Sequence, residues 1–154
     1  MSSAPVDELN FVRIFDAPRD LVFRCMIDPR HLTHFWGPKG MTTPLGGIVV
    51  DPRPGGAFET TMINDHNGSE YRMRAVFREV LEPERLVWAD IDSGMVTSTT
   101  FTDLGDGRTE VHIHQASVPE AALAPEAQSG FLTSLDRLTA YIHHLARTQD
   151  QAKD

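Results

Sequence analysis

The feature that most constrains this chain is an apolar stripe near its C-terminus. Within residues 125–147, apolar side chains recur in steps of four, three, four and three, at Phe131, Leu135, Leu138, Ile142 and Leu145. This spacing is typical of one face of an amphipathic α-helix, and the proline at position 125 suits the first helical residue. Such a helix would be roughly 34 Å long, so its apolar face requires an equally long apolar partner.

The preceding chain supplies that partner as a series of predicted strands. Residues 9–15 are apolar and β-prone and predict a first strand. Two short helices follow, one beginning near Pro18 and one over residues 31–36. From residue 42 onward, β-prone stretches alternate with turns rich in Gly, Pro, Asp and Asn, which predicts about six further strands. Tight turns join antiparallel neighbours, so the predicted sheet is antiparallel.

Alternation along two of the predicted strands indicates which side chains face inward. Between residues 70 and 80, apolar residues alternate with arginines, and between residues 109 and 115 they alternate with a glutamate and two histidines. A period of two places alternate side chains on opposite faces of a sheet. The side chains predicted to face inward are Tyr71, Met73, Ala75, Phe77, Val111 and Ile113.

Together these elements predict an α+β fold in which a curved antiparallel sheet of six or seven strands wraps around the long C-terminal helix. A strongly twisted sheet of this size curls, and one helix is too narrow to cover its concave face completely. We therefore expect a partly enclosed apolar pocket beside the helix. Residues 9–148 are expected to form a single domain, with residues 1–8 and 149–154 as flexible tails.

The overall charge and composition exclude several classes of partner. The net charge is −8 and the isoelectric point is near 5.3, which argues against nucleic acid and against anionic membrane surfaces. No run approaches the ~18 apolar residues of a membrane span, and no secretion signal opens the chain, so we expect a cytoplasmic location. The single cysteine, Cys25, lies on an apolar helical face and predicts a small buried hydrophobe, without a disulfide framework.

Two histidine pairs have spacings that would permit chelation of a metal. His31 and His34 lie three residues apart on a short helix, and His112 and His114 share the outer face of a strand. A protein metal site needs at least three ligands, and no third ligand stands near either pair. Neither a Gly-x-Ser-x-Gly motif nor a paired Cys and His in matching context is present. We therefore predict no metal, no cofactor and no catalytic residue.

Several short motifs along the chain resemble those of a known family. They are Ala17-Pro18, Asp28-Pro29, Phe35-Trp36-Gly37-Pro38, the Asp-Pro-Arg-Pro-Gly-Gly-Ala-Phe run over residues 51–58, Glu79-Val80, Pro83, Arg85-Leu86-Val87, Val96-Thr97, Gly107-Arg108-Thr109 and Gly130-Phe131 with Leu135 and Leu138. With these residues the chain resembles the START-like superfamily, also called helix-grip, SRPBCC or Bet v-type proteins. Within it, the chain resembles the activator-of-heat-shock-protein-90-ATPase homologue family over residues 9–148.

The resemblance implies a sheet that grips the long helix around an apolar cavity. The family usually has a tryptophan where this chain has Phe131, which alters the pocket wall. Glycine inside a helix costs about 1 kcal/mol relative to alanine, so Gly130 indicates either a close approach of the sheet backbone or a need for space. The candidate ligand-binding residues are Trp36, Phe58, Tyr71, Met73, Phe77, Trp88, Gly130, Phe131 and Leu135.

Among these candidates, Phe77, Trp88, Phe131 and Leu135 are expected to wall the pocket, with Tyr71 as a polar handle. The alternative is that the bulky side chains fill the core completely and leave no room for a ligand.

Three functions are compatible with this fold, because fold alone does not choose among them. We favour a non-catalytic binding protein for a small, mostly apolar ligand, either lipid-like or aromatic and polyketide-like. The alternatives are a polyketide cyclase or aromatase-like enzyme on the same scaffold, and a co-chaperone that regulates a heat-shock-protein-90-type ATPase. A compact domain with short tails leaves no extra segment to grip a large partner, so we do not expect chaperone activation to be the main activity. A homodimer is also compatible with the sequence.

Overall fold

The computed structural model describes the backbone of residues 7–152 and the side chains of residues 7–145. These residues form one antiparallel sheet and four α-helices. The strands are β1 (Leu9–Phe15), β2 (Met41–Thr42), β3 (Val49–Val50), β4 (Ala57–Asn64), β5 (Glu70–Leu81), β6 (Arg85–Asp90), β7 (Val96–Asp103) and β8 (Thr109–Ala116). The helices are α1 (Arg19–Cys25), α2 (Pro29–Phe35), α3 (Glu120–Leu123) and α4 (Pro125–Ala152), with a short 3-10 helix at Leu45–Gly47.

The strand order is β1-β8-β7-β6-β5-β4-β2, and β3 pairs with β4 beside β2. The α+β helix-grip fold predicted from the sequence is confirmed, with two short helices after β1 and a long C-terminal helix. The sheet has eight strands instead of six or seven because β2 and β3, of two residues each, both pair with β4. No helix within the described part of the chain is long and apolar enough to cross a membrane.

Of the two short helices, α1 packs on β7 and α2 packs on α4. Local sequence explains how α2 begins. The side chain of Asp28 accepts a hydrogen bond from the backbone N–H of Arg30, and Pro29 occupies the first turn of α2. Leu21, Val22 and Cys25 on α1 are buried against the sheet. Burial raises the pKa of the Cys25 thiol to about 12, so this side chain is the neutral, buried hydrophobe that the sequence predicts.

The alternation predicted for the central strands is confirmed where α4 covers them. Ala75, Phe77, Val111 and Ile113 are all buried, and His112 is exposed on the outer face. A register shift in β5 after Phe77 ends its strict alternation. The inner face of the sheet therefore presents a largely apolar surface to the helices.

Helix α4 lies against this surface through the stripe that the sequence predicts. Leu135, Leu138 and Ile142 are buried, while Phe131 and Leu145 pack on the core with part of their surface exposed. The helix continues to Ala152, past residue 149, where a flexible tail was predicted. The remaining parts of both predicted tails, residues 1–6 and 153–154, lie outside the described residues.

Candidate ligand-binding cavity

A cavity of about 530 Å³ lies between the inner face of the sheet and α4. The sheet contributes Met73, Trp88 and Phe101 to its wall, and α4 contributes Phe131 and Leu135. Most of the lining is apolar, and the volume lies within the roughly 300–1,000 Å³ range of pockets that bind drug-sized molecules. The core is therefore not filled completely by its own side chains.

Six of the nine candidate residues line this cavity. They are Trp36, Met73, Trp88, Gly130, Phe131 and Leu135. Phe131 is held on β1, where its ring lies 4.5 Å from that of Phe11. An ideal Cβ on Gly130 would lie 3.5 Å from the Cβ of Pro38, at the point where the loop before β2 approaches α4. The neighbour of Gly130 is therefore this loop and not the sheet backbone, and it lies at an ordinary van der Waals distance.

Phe58 and Phe77 lie outside the lining of the cavity and support its aromatic wall. The ring of Phe58 lies 5.0 Å from that of Trp88, 5.3 Å from that of Trp36 and 5.4 Å from that of Phe77. Both phenylalanines are almost fully buried. They fix the orientation of the two tryptophans that do face the cavity.

Tyr71 also lies outside the cavity, in contrast to its predicted role as a polar handle. Its side chain is 51% exposed. Tyr71 pairs with Met62 of β4, whereas the pairing of β5 with β6 begins only at Ala75. Tyr71 therefore lies on an extension of β5 that projects beyond the part of the sheet adjoining β6.

The polar groups that do line the cavity come mainly from two other strands. Thr97 and Thr99 on β7 and Gln115 on β8 are buried lining residues. Alternation in the sequence indicates that these side chains face inward. Thr97 and Thr99 occupy alternate positions, and Gln115 continues the inward series of Val111 and Ile113. Without knowledge of the neighbouring strands, these threonines indicate only a β-prone stretch. A further lining hydroxyl, that of Thr60, accepts a hydrogen bond of 3.1 Å from the indole N–H of Trp36 and so fixes the edge of that ring.

The charged groups of the lining are acidic. Asp90 and Glu126 line the cavity, and its lining includes no lysine, arginine or histidine from the described residues. Asp90 Oδ1 accepts hydrogen bonds of 2.9 Å from the backbone N–H groups of Asp92 and Ser93, which orders the turn between β6 and β7. The electrostatic environment of the cavity is therefore neutral to negative.

One arginine of α4 fixes the loop that borders the cavity. Arg137 Nη1 donates to the carbonyl oxygens of Gly37 at 2.8 Å and of Pro38 and Met41 at 3.2 Å each. Thr133 Oγ1 accepts from the backbone N–H of Lys39 at 3.0 Å. Burial lowers the pKa of the Arg137 guanidinium. No pattern in the sequence marked Arg137, because its partners are backbone groups about a hundred residues away.

The histidines lie outside the cavity lining. His31 and His34 both contact Tyr141, and His112 and His114 bond to Asn10 and Glu8. Within residues 7–152, no group of three or more His, Cys, Asp or Glu side chains is arranged to hold a metal ion.

Burial of the His31 side chain is expected to make stability depend on pH. His31 Nδ1 and Tyr141 Oη share a hydrogen bond of 2.6 Å, and burial lowers the pKa of His31 below its usual value of 6.5, against an opposing effect of Asp28. The unfolded chain then binds this proton at a higher pH than the folded chain does. We therefore expect the free energy of unfolding to fall as the pH drops below about 6.5, until the folded-state pKa is passed.

This expectation is checked by urea unfolding of wild-type protein and His31→Asn at about pH 8 and about pH 5. The His31→Asn variant should lose less stability between the two pH values than wild type does. His66→Gln, at an exposed turn, is the control and should behave as wild type. An equal loss in wild type and His31→Asn would contradict the assignment.

Known proteins share this fold and most of its length. The model of the family described as Activator of Hsp90 ATPase homolog 1-like protein matches residues 16–143. A solved structure from Chromobacterium violaceum is 26% identical with a TM-score of 0.77, and the match covers 86% of this chain and 95% of that one. No curated protein sequence is significantly similar to this chain.

Two further solved structures share the fold at lower identity. One from Nitrosomonas europaea is 22% identical with a TM-score of 0.79, covering 94% of this chain and 99% of that one. One from Rhodobacter sphaeroides is 16% identical with a TM-score of 0.81, covering 94% and 97%. Because the family model spans most of the sequence, and the resemblance in its motifs is confirmed, this chain belongs to the Activator of Hsp90 ATPase homolog 1-like family.

Proposed function

We propose that this protein binds a small, mostly apolar molecule in the cavity between the sheet and α4, without changing it chemically. The observation that carries the proposal is the cavity itself, of about 530 Å³, walled by tryptophan, phenylalanine, methionine and leucine side chains. A concave apolar site with a few buried polar groups is the usual form of a small-molecule site. Burial of apolar ligand surface supplies the affinity.

The chemistry of the lining favours binding over catalysis. A cyclase would need an acid or base in the cavity whose pKa is displaced toward neutrality. Of the ionisable side chains in the described lining, Glu126 is exposed, and Asp90 Oδ1 already accepts two backbone hydrogen bonds. The buried polar groups of the lining include the hydroxyls of Thr97 and Thr99 and the amide of Gln115, which do not titrate near neutral pH.

The family description refers to activation of a chaperone ATPase. That activity would rest on an outward surface and does not account for an internal apolar cavity. We therefore place ligand binding first.

Two substitutions at one position test the proposal. The Cβ of Gly130→Ala would meet Pro38 at ordinary van der Waals distance, so alanine fits and should raise the melting temperature through its better helix propensity of about 1 kcal/mol. The longer side chain of Gly130→Leu must extend into the cavity that Gly130 lines. We expect Gly130→Ala to bind ligand as wild type does and Gly130→Leu to bind at least tenfold more weakly, a loss of about 1.4 kcal/mol.

The probe is 6-propionyl-2-(dimethylamino)naphthalene, whose fluorescence shifts to the blue in apolar surroundings. Titration of wild type, Gly130→Ala and Gly130→Leu gives the three dissociation constants, and thermal shifts give a second measure of binding. Equal affinity of wild type and Gly130→Leu for the probe would show that the probe binds outside this cavity. Absence of binding to folded wild type would contradict the proposal for aromatic ligands of this size.

A further inference from the structure

We propose that the ligand carries a neutral hydrogen-bonding group, a carbonyl or hydroxyl, held by Thr97, Thr99 and Gln115, and that the cavity selects neutral molecules against carboxylates and other anions. This inference rests on the proposed function and specifies the chemical class of its ligand.

The three side chains form one polar patch on the inner face of the sheet. Thr97 lies opposite Gln115 in the pairing of β7 with β8, and Thr99 follows two residues later on the same face of β7. Opposed side chains in an antiparallel pair have Cβ atoms about 5 Å apart, and diagonal neighbours about 7–8 Å. Their exposed fractions are 3%, 0% and 9%. One ligand atom can therefore be surrounded by this patch, away from bulk water.

One hydroxyl of this patch has an unmet hydrogen bond. Thr99 Oγ1 is buried and has no hydrogen-bond partner among the described residues. Other buried threonines are satisfied by the fold: Thr43 donates to Trp36, and Thr109 donates to Ala17. A buried hydroxyl without a partner destabilises the folded chain, and valine has the same shape. The described residues therefore leave the Thr99 hydroxyl without the hydrogen bond that a buried hydroxyl usually makes.

A bound carbonyl or hydroxyl oxygen can be that partner. Thr99 lines the cavity, although its oxygen is covered in the rotamer that the structure shows. Rotation about χ1 by about 120° moves the hydroxyl to another staggered position, and the methyl group and the hydrogen on Cβ move with it. The hydroxyl would then donate to an acceptor that Thr97 and the Gln115 amide also contact.

The charged side chains of the lining disfavour the binding of an anionic ligand. A carboxylate buried away from water needs a cation or several donors to replace its hydration. The described lining offers no cationic side chain, and it includes the carboxyl groups of Asp90 and Glu126. An anion would therefore lose its hydration and gain repulsion, whereas a neutral ketone or alcohol would not.

The test uses three naphthalenes that differ in one group of three heavy atoms: 2-acetylnaphthalene, 2-isopropylnaphthalene and 2-naphthoate. Dissociation constants are measured by calorimetry or competition for wild type, Thr99→Val, Thr97→Val and Gln115→Leu. Thr100→Val, on the outer face of the same strand, is the matched control. We expect the ketone to bind wild type roughly tenfold more tightly than its hydrocarbon isostere, which is about one net hydrogen bond. We expect naphthoate to bind more weakly than both.

The variants separate recognition from folding. Thr99→Val should raise the melting temperature of the empty protein and reduce the preference for the ketone, and Thr97→Val and Gln115→Leu should also reduce that preference. Thr100→Val should change neither. If the hydrocarbon or naphthoate binds wild type as tightly as the ketone, the proposed function stands and this inference is overturned. If none of the three binds, both are overturned.

Discussion

Replacement of Phe58 with alanine is expected to lower the free energy of unfolding by about 3–5 kcal/mol, the range for a buried phenylalanine. Phe58 is fully buried, and its ring contacts those of Trp36, Phe77 and Trp88. The substitution would remove the centre of this aromatic cluster and leave a void beneath the cavity wall. For a chain of this length the melting temperature should fall by roughly 6–20 °C.

Urea unfolding followed by tryptophan fluorescence measures the effect. Val12→Ala is the control, because Val12 is 59% exposed and should lose about 0.5 kcal/mol or less. The loss in Phe58→Leu should lie between the losses in Phe58→Ala and Val12→Ala, since leucine fills part of the volume of the phenylalanine ring. A loss below about 1 kcal/mol in Phe58→Ala would show that the surrounding rings do not depend on it.

The parts of this fold that could be predicted from sequence are those with a strong local period. The α4 stripe has a helical period over several turns, and the inward series on β5 and β8 have a period of two. The two-residue strands β2 and β3 have too few residues to show a period, so their pairing with β4 appears only in the structure. The position of Gly130 opposite Pro38 likewise depends on tertiary contact.

The cavity could be predicted in outline, while its polar groups could not be assigned. Bulky residues on inward faces, such as Trp88 and Phe131, are indicated by pattern alone. Whether an inward side chain lines the cavity or lies beneath its wall depends on the neighbouring strands. For this reason Trp88 lines the cavity and Phe58 does not, although both face inward. Tyr71 follows the same alternation as Phe77, but the length of β6 leaves it exposed. The alternation along a strand predicts on which face each side chain lies. The lengths of the adjacent strands then determine whether that face is covered.

A second consequence of these long-range contacts is that Arg137 should be important for stability. Its guanidinium donates from Nη1 to the carbonyl oxygens of Gly37, Pro38 and Met41, with Trp36 O at 3.5 Å. Trp36 O also accepts from Thr43 Oγ1, and Pro38 O also accepts from the backbone N–H of Met41, the first residue of β2. The guanidinium adds to these bonds and gives Gly37 O a charged donor at 2.8 Å. Arg137→Met keeps most of the apolar stem and removes every donor. We expect this variant to lose about 2–3 kcal/mol, because the hydrogen bonds from one charged, half-buried donor are lost together.

The measurement is again the free energy of unfolding from urea titration, with Arg78→Met as the control. Arg78 is an exposed residue of β5, and its substitution should change stability by about 0.5 kcal/mol or less. Arg137→Lys should recover part of the loss, since an ammonium group donates to carbonyls but is more compact than the guanidinium fork.

Backbone amide exchange supplies the local test. In Arg137→Met the N–H of Lys39, which donates to Thr133 Oγ1 in the same loop, should exchange faster, while amides in the centre of β7 and β8 should change only as global stability does. Uniform loss of protection across the chain, or no loss for Lys39, would mean that Arg137 does not hold this loop on α4.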